Sequence, residues 1–338
     1  MKRYIISQLF LLLSVTLMGQ DVQYSQFYAT PLHINPGFTG STVEHRLVMN
    51  YRNQWPSIPK AFQSYHASYE YNASEINSGF GLVFNREEAG SFGLRTNEVA
   101  LAYAYHFRIN QNLYLQPGLK FGYAFRGIDY DKLVFNDQLE SGSSITADED
   151  AFAREDISYP DISTGILLYG ENYWAGIAIN HLNRPDQTLL GDGRSVSELP
   201  MKYSVQLGYT FDLSGSVRSR FGDKSLQAVL HYKAQGKYDQ LDMGGYYNHA
   251  PFMFGFWYRG IPGLKKYKKG YHNHDAIIAM VGYSIPDRNF NVGYSYDITI
   301  SRLAAGTGGA HEISVTYEFA SQRKKRKKRK FRVPCAKF

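Results

Sequence analysis

From about residue 44 onward the chain alternates apolar and polar positions at period two, the signature of strands with two unlike faces. In LYLQPGLKFGYAFR, residues 113–126, Leu113, Leu115, Leu119, Phe121, Tyr123 and Phe125 share one face, while Gln116, Gly118, Lys120, Gly122 and Arg126 share the other. One face suits lipid and the other water. The same division sets Val99, Leu101, Tyr103, Tyr105 and Phe107 against Glu98, Ala100, Ala102, Ala104 and His106. It sets Tyr203, Val205, Leu207, Tyr209 and Phe211 against Lys202, Ser204, Gln206, Gly208 and Thr210, and Ile313, Val315, Tyr317 and Phe319 against Glu312, Ser314, Thr316 and Glu318.

Fourteen stretches follow this pattern, near 44–54, 62–72, 78–86, 94–108, 113–126, 159–170, 173–181, 200–211, 224–234, 237–247, 251–260, 274–285, 289–299 and 309–319. Most have the roughly 9 to 11 residues that a tilted membrane strand requires. The connections give an independent test, because a membrane barrel alternates short periplasmic turns with longer outer loops. The odd connections include the long 127–158, 182–199 and 261–273; the even ones include the short 109–112, 171–172, 248–250 and 286–288. Connections 212–223 and 235–236 run against that rule. The pattern therefore predicts an all-β fold, a transmembrane antiparallel β-barrel of about 14 strands over 44–320, with both ends of the body in the periplasm. A soluble sandwich also alternates, but its strands are shorter, about 5 to 6 residues, and its outer face less aromatic.

Composition agrees with the barrel. There are 28 Tyr, 21 Phe and 31 Gly, and past the leader no run approaches the roughly 18 apolar residues of a spanning helix. Residues 1–19 read as a signal peptide: Lys2 and Arg3, an apolar stretch from Ile5 to Val15, and Gly19 at a plausible cleavage site. The only Cys is Cys335, so an internal disulfide is excluded, as is lipidation just after the cut.

Charge changes the picture at one end. The formal net charge is +7, yet removing the ten basic residues of the tail and the two of the leader leaves 25 basic against 30 acidic side chains. A mildly acidic body thus carries a basic tail over 321–338, densest at Arg323, Lys324, Lys325, Arg326, Lys327, Lys328, Arg329 and Lys330. In an exported chain nucleic acid is not its partner. It reads either as a solvated tail or as an arm that docks an acidic periplasmic protein, and Cys335 near its end could pair with a second protein.

Candidate chemistry is sparse. His272 and His274 in HNHD have the spacing of two metal ligands on a strand, but no third ligand is assignable. The acidic run 147–150 lacks the glycine and spacing of a calcium loop. GTGG at 306–309 joins two strands instead of opening a helix, and nothing pairs a Ser with a His for hydrolysis. No metal, cofactor or enzymatic activity is expected.

The stretch between leader and first strand, QDVQYSQFYATPLHINPGFTGS, has neither period. Through Gln23, Ser25, Gln26, Phe27, Pro31, Asn35, Pro36, Gly37 and Gly40 it resembles the N-terminal signature of the PorP/SprF family of type IX secretion outer-membrane proteins, and the basic tail closing in PCAKF is similar to that of some members. The resemblance implies an outer-membrane protein, without enzymatic activity, that works with the periplasmic ring and outer-membrane components of that system. It further implies support for secretion or surface anchoring of a cargo adhesin of the gliding type, recognised directly or through its C-terminal signal domain. A passive or substrate-specific outer-membrane channel is the alternative. Residues 20–43 are either a plug or inner rim, with Gln23, Gln26 and Asn35 satisfying luminal groups while Tyr24, Phe27 and Phe38 pack, or an extended periplasmic linker.

Overall fold

The computed structural model describes residues 21–59, 61–91, 93–129, 156–189, 197–213, 224–268, 271–285, 288–301 and 306–320. Residues 1–19, expected as a signal peptide, most of 127–158, part of 182–199 and the tail from Arg323 to Cys335 lie outside the described residues.

Fourteen antiparallel strands form one closed sheet. They are β1 His45–Gln54, β2 Phe62–Ala73, β3 Ser78–Ala89, β4 Leu94–Tyr105, β5 Tyr114–Gly127, β6 Ile157–Tyr169 and β7 Tyr173–Asn180. The second half comprises β8 Lys202–Asp212, β9 Lys224–Gln235, β10 Tyr238–His249, β11 Phe252–Lys268, β12 Tyr271–Ile285, β13 Phe290–Thr299 and β14 Ala310–Phe319. A two-residue continuation of β4, Phe107–Arg108, also pairs with β5. Each strand pairs with its neighbours in sequence, and β1 pairs with β14 from His45↔Phe319 to Gln54↔Ala310. Among the described residues no sheet edge is left over, as a spanning sheet requires when lipid offers no hydrogen bonds.

The two faces carry opposite chemistry. Leu101, Leu119, Phe121, Ile177 and Phe256 point outward and are more than half exposed, whereas Glu70, Gln116, Asp242 and Glu312 point inward and are fully buried. A water-soluble fold reverses that arrangement, and a barrel in lipid demands it. No helix among the described residues is long and apolar enough to cross a membrane.

The expected boundaries hold to within a few residues, with one clear departure. Of residues 261–273, expected as a long outer loop, 261–268 extend β11 and 271–273 extend β12 as a paired ribbon. Register shifts at Arg259/Gly260 and Ile261/Lys266 mark where the ribbon departs from the regular ladder. The long connections 128–156 and 181–201 leave from one end of the barrel, hereafter the loop rim. The turns 74–77 and 170–172 and both ends of the barrel body lie at the other, the turn rim. The two exceptions are real: 213–223 is a long connection at the turn rim, and 236–237 a tight one at the loop rim.

Candidate functional site: the lumen and its N-terminal segment

Residues 21–44 run inside the barrel, from Asp21 near the loop rim to Glu44 at the turn rim. The segment is built from turns too short to show a period: a 3₁₀ turn Phe27–Ala29, an α-helical turn Pro31–Ile34 and a second 3₁₀ turn Pro36–Phe38. Pro31 and Pro36 open their turns, where a missing N–H costs nothing. Asn35 caps the last one, its Oδ1 accepting from the Gly37 N–H at 2.7 Å.

An ion cage holds the first third. Glu312 on β14 accepts from the backbone N–H of Ser25 (2.7 Å) and of Gln26 (3.0 Å), and also from Asn50 (2.8 Å) and Arg52 (3.0 Å). The Ser25 hydroxyl donates to Asp297 at 2.7 Å and accepts from Arg52 and Arg259. Arg259 donates to Asp242 at 2.8 Å and to Asp297 at 3.0 Å. Two guanidinium groups thus meet three carboxylates with Ser25 at the centre, all buried. Gln26 is satisfied at both ends of its amide. Its nitrogen donates to the Glu312 carbonyl at 2.8 Å, and its oxygen accepts from Tyr28 at 2.6 Å and from Ser314.

Asn35, Pro36 and Gly37 press against small residues of the opposite wall. The Asn35 amide nitrogen reaches Gln206 Oε1 at 3.1 Å and the carbonyls of Ile166 and Ile177 at 3.3 Å. A Cβ on Gly118 would fall 2.4 Å from the Pro36 carbonyl, so only glycine lets the two backbones meet there. Gly40 takes φ +73° and donates to Glu70, which also pairs with Arg46 at 2.6 Å. Phe27 packs edge-on against Trp257 at 4.8 Å and against His231 at 5.1 Å, and Phe38 against Trp174 at 5.4 Å. Pro31 is buried, and Gln23 is half-buried facing open space. The ten N-terminal signature and plug residues therefore all lie in the lumen.

The Asp21 end is fixed by charge. Its carboxylate accepts from His181 at 2.8 Å, from Gln235 at 3.0 Å and from Lys202. Burial alone would raise its pKa, but His181 and Lys202 hold it well below the usual carboxylate range. His181 follows the last residue of the short β7, turning with φ +57° to stand between Asp21 and Asp161. Burial opposes its protonation, and the two carboxylates raise its pKa to about 9. His33 packs edge-on to Tyr24 at 5.1 Å, with its Nε2 3.3 Å from the Val22 carbonyl oxygen.

Between this segment and the loop rim lies a vestibule of about 1090 Å³, lined by Asp21, Gln23, Tyr24, Glu87, Lys120, Arg126 and other inward side chains. No group of three or more metal-ligating side chains occurs among the described residues; His272 and His274 sit on β12.

Apolar outside, charged inside and closed on itself, with its own N-terminal segment bound along the lumen, the chain is an outer-membrane β-barrel. Residues 16–317 match the family model described as "Type IX secretion system membrane protein PorP/SprF", and the chain belongs to that family. It has an outer-membrane role in type IX secretion, in association with components of that system. No curated protein matches the chain. Similar solved structures include the CymD monoaromatic hydrocarbon channel (10% identity, TM-score 0.44, 87% of this chain and 94% of that one). The Pseudomonas putida toluene transporter TodX (11%, 0.43, 88% and 93%) and a Pseudomonas aeruginosa FadL homologue (13%, 0.41, 82% and 90%) are others.

Proposed function

We propose that this barrel is a non-catalytic component that supports secretion or surface anchoring of a cargo adhesin of the gliding type. The observation that supports this reading best is the occupied lumen. A passive or substrate-specific channel needs a continuous aqueous path, whereas here the bore is occupied from Ser25 to Gly40 by a segment whose backbone N–H groups donate to the buried carboxylates of Glu312 and Glu70 on the wall. A filled barrel serves as a platform.

The long connections 128–156 and 181–201 leave from the loop rim, which by the usual arrangement of such barrels faces outward. Both ends of the body are then periplasmic. The outer connections and the vestibule meet cargo or its C-terminal signal domain, while Arg323–Lys330 and Cys335 are offered to an acidic surface of the periplasmic ring. Mass spectrometry of what co-purifies with the detergent-extracted barrel tests this reading. Type IX components together with one large secreted adhesin are expected. A stable open-channel conductance from the purified wild-type barrel, with no secretion component bound, would refute it.

A further inference from the structure

The vestibule contains charges and polar groups that the barrel itself leaves unmatched. Most of its carboxylates are paired: Asp21 with His181 and Lys202, and Glu98 with Lys120 at 2.8 Å. Glu87 on β3 is different. It lines the same cavity, half-buried, and no hydrogen bond or ion pair reaches it from any described residue. Three neighbours on the lining are also unmatched: the Tyr24 hydroxyl, the Asn180 amide nitrogen and both ring nitrogens of His231 have no hydrogen-bond partner among the described residues. All three side chains are more than nine-tenths buried. Buried polar atoms left without partners cost about 1 to 3 kcal/mol each, a cost that a group supplying partners there would offset.

The chemistry of that group follows from charge, shape and size. Among the described residues the lining carries seven Asp or Glu side chains against four Lys or Arg side chains and His181, so acidic side chains are in excess. Trp55, Phe62, Tyr159 and Tyr238 add aromatic surface on which the stem of a long cation can lie. A volume of about 1090 Å³ is beyond the roughly 300 to 1,000 Å³ of small-molecule sites and has room for a stretch of chain.

We propose that the vestibule is a docking site for an extended basic peptide segment of a secreted protein, with a Lys or Arg side chain set against Glu87 and the peptide backbone taken up by Tyr24, Asn180 and His231. This rests on the anchoring reading above and names the part of the cargo that the barrel would hold.

The test uses the full chain in lipid nanodiscs and two fluorescein-labelled heptapeptides, Gly-Ser-Lys-Gly-Lys-Ser-Gly and its counterpart with Glu in place of Lys, read by fluorescence anisotropy. The Lys peptide is expected to bind saturably and the Glu peptide not to bind. Glu87→Gln should weaken the Lys peptide at least tenfold, and Glu75→Gln, at the turn rim, should leave it unchanged. Heat-modifiable gel mobility checks that each variant keeps its barrel. Equal binding of the two peptides, or equal binding of the Lys peptide to wild type and Glu87→Gln, overturns the proposal. If the Lys peptide fails while secretion components still co-purify, this inference alone falls; if the components are missing, the anchoring reading falls with it.

Discussion

Glu312→Ala should release the N-terminal segment while leaving the barrel closed. The carboxylate accepts four hydrogen bonds, two of them from the backbone of Ser25 and Gln26 and one from the Arg52 guanidinium. Hydrogen bonds to a charged group contribute about 1.5 to 3 kcal/mol each, so losing the two that reach the segment costs its docking about 3 to 6 kcal/mol. That shifts the docked-to-released ratio by a factor of about 10² to 10⁴, since ~1.4 kcal/mol is tenfold. The β1–β14 ladder is made by the backbone and is untouched. Chymotrypsin reads the release, because Tyr24, Phe27, Tyr28 and Phe38 are cleavage positions that are shielded while docked. When opening and closing outpace cutting, the cleavage rate follows the open population. Wild type should resist, and Glu312→Ala should be cut within 21–44 and gain single-channel conductance. A variant with normal heat-modifiable mobility, wild-type resistance and no conductance would refute the idea that this carboxylate holds the segment.

Other perturbations probe separate parts of the lumen. Gly118→Val places a side chain where the Pro36 carbonyl lies, so it should displace the Asn35–Pro36–Gly37 turn and give the same new chymotryptic fragments with Arg52 and Glu312 intact. The Asp21 anchor should depend on pH. The His181 pKa is raised from an ordinary value of about 6.5 to about 9, so its contribution is complete below about pH 6.5 and is lost as pH rises through 9. Protection from hydrogen exchange at 21–24, taken relative to the base-catalysed intrinsic rate, should therefore fall between pH 8 and 10, and His181→Ala should abolish that fall. Deleting 321–338 should reduce adhesin display at the surface without altering barrel mobility; unchanged display would show that the tail does not dock machinery.

The wall was legible in the sequence because lipid and lumen impose opposite demands on alternate residues. Leu119, Phe121 and Tyr123 against Gln116 and Lys120 are placed as the alternation predicts. The β11–β12 ribbon was not legible, since IPGLKKYKKGYHN is rich in the Pro, Gly and Lys of a loop, while its pairing is decided by the hairpin beneath it. The N-terminal segment was visible only as an absence of period, because turns of three or four residues cannot display one. The ion cage was hidden for another reason. Arg52, Asp242, Arg259, Asp297 and Glu312 each read as an ordinary lumen-facing polar residue, and only closure of the sheet brings their five strands together. The available signal was two arginines at inward parity, where serine or glutamine would suffice.

The cage also bears on how the molecule is assembled. Ser25 and Glu312 are 287 residues apart, and Glu312 lies on the last strand made, which is the strand that must find β1 to complete the ring. Contacts so distant along the chain form late, after the loop-closure entropy of the intervening sheet has been met. The same carboxylate that receives Ser25 and Gln26 also receives Arg52 of β1, so zipping the final seam and seating the segment are coupled steps. An incomplete chain emerging into the periplasm lacks both. The protein therefore need never exist as an open pore while it is being made, which would spare the outer membrane a leak during biogenesis.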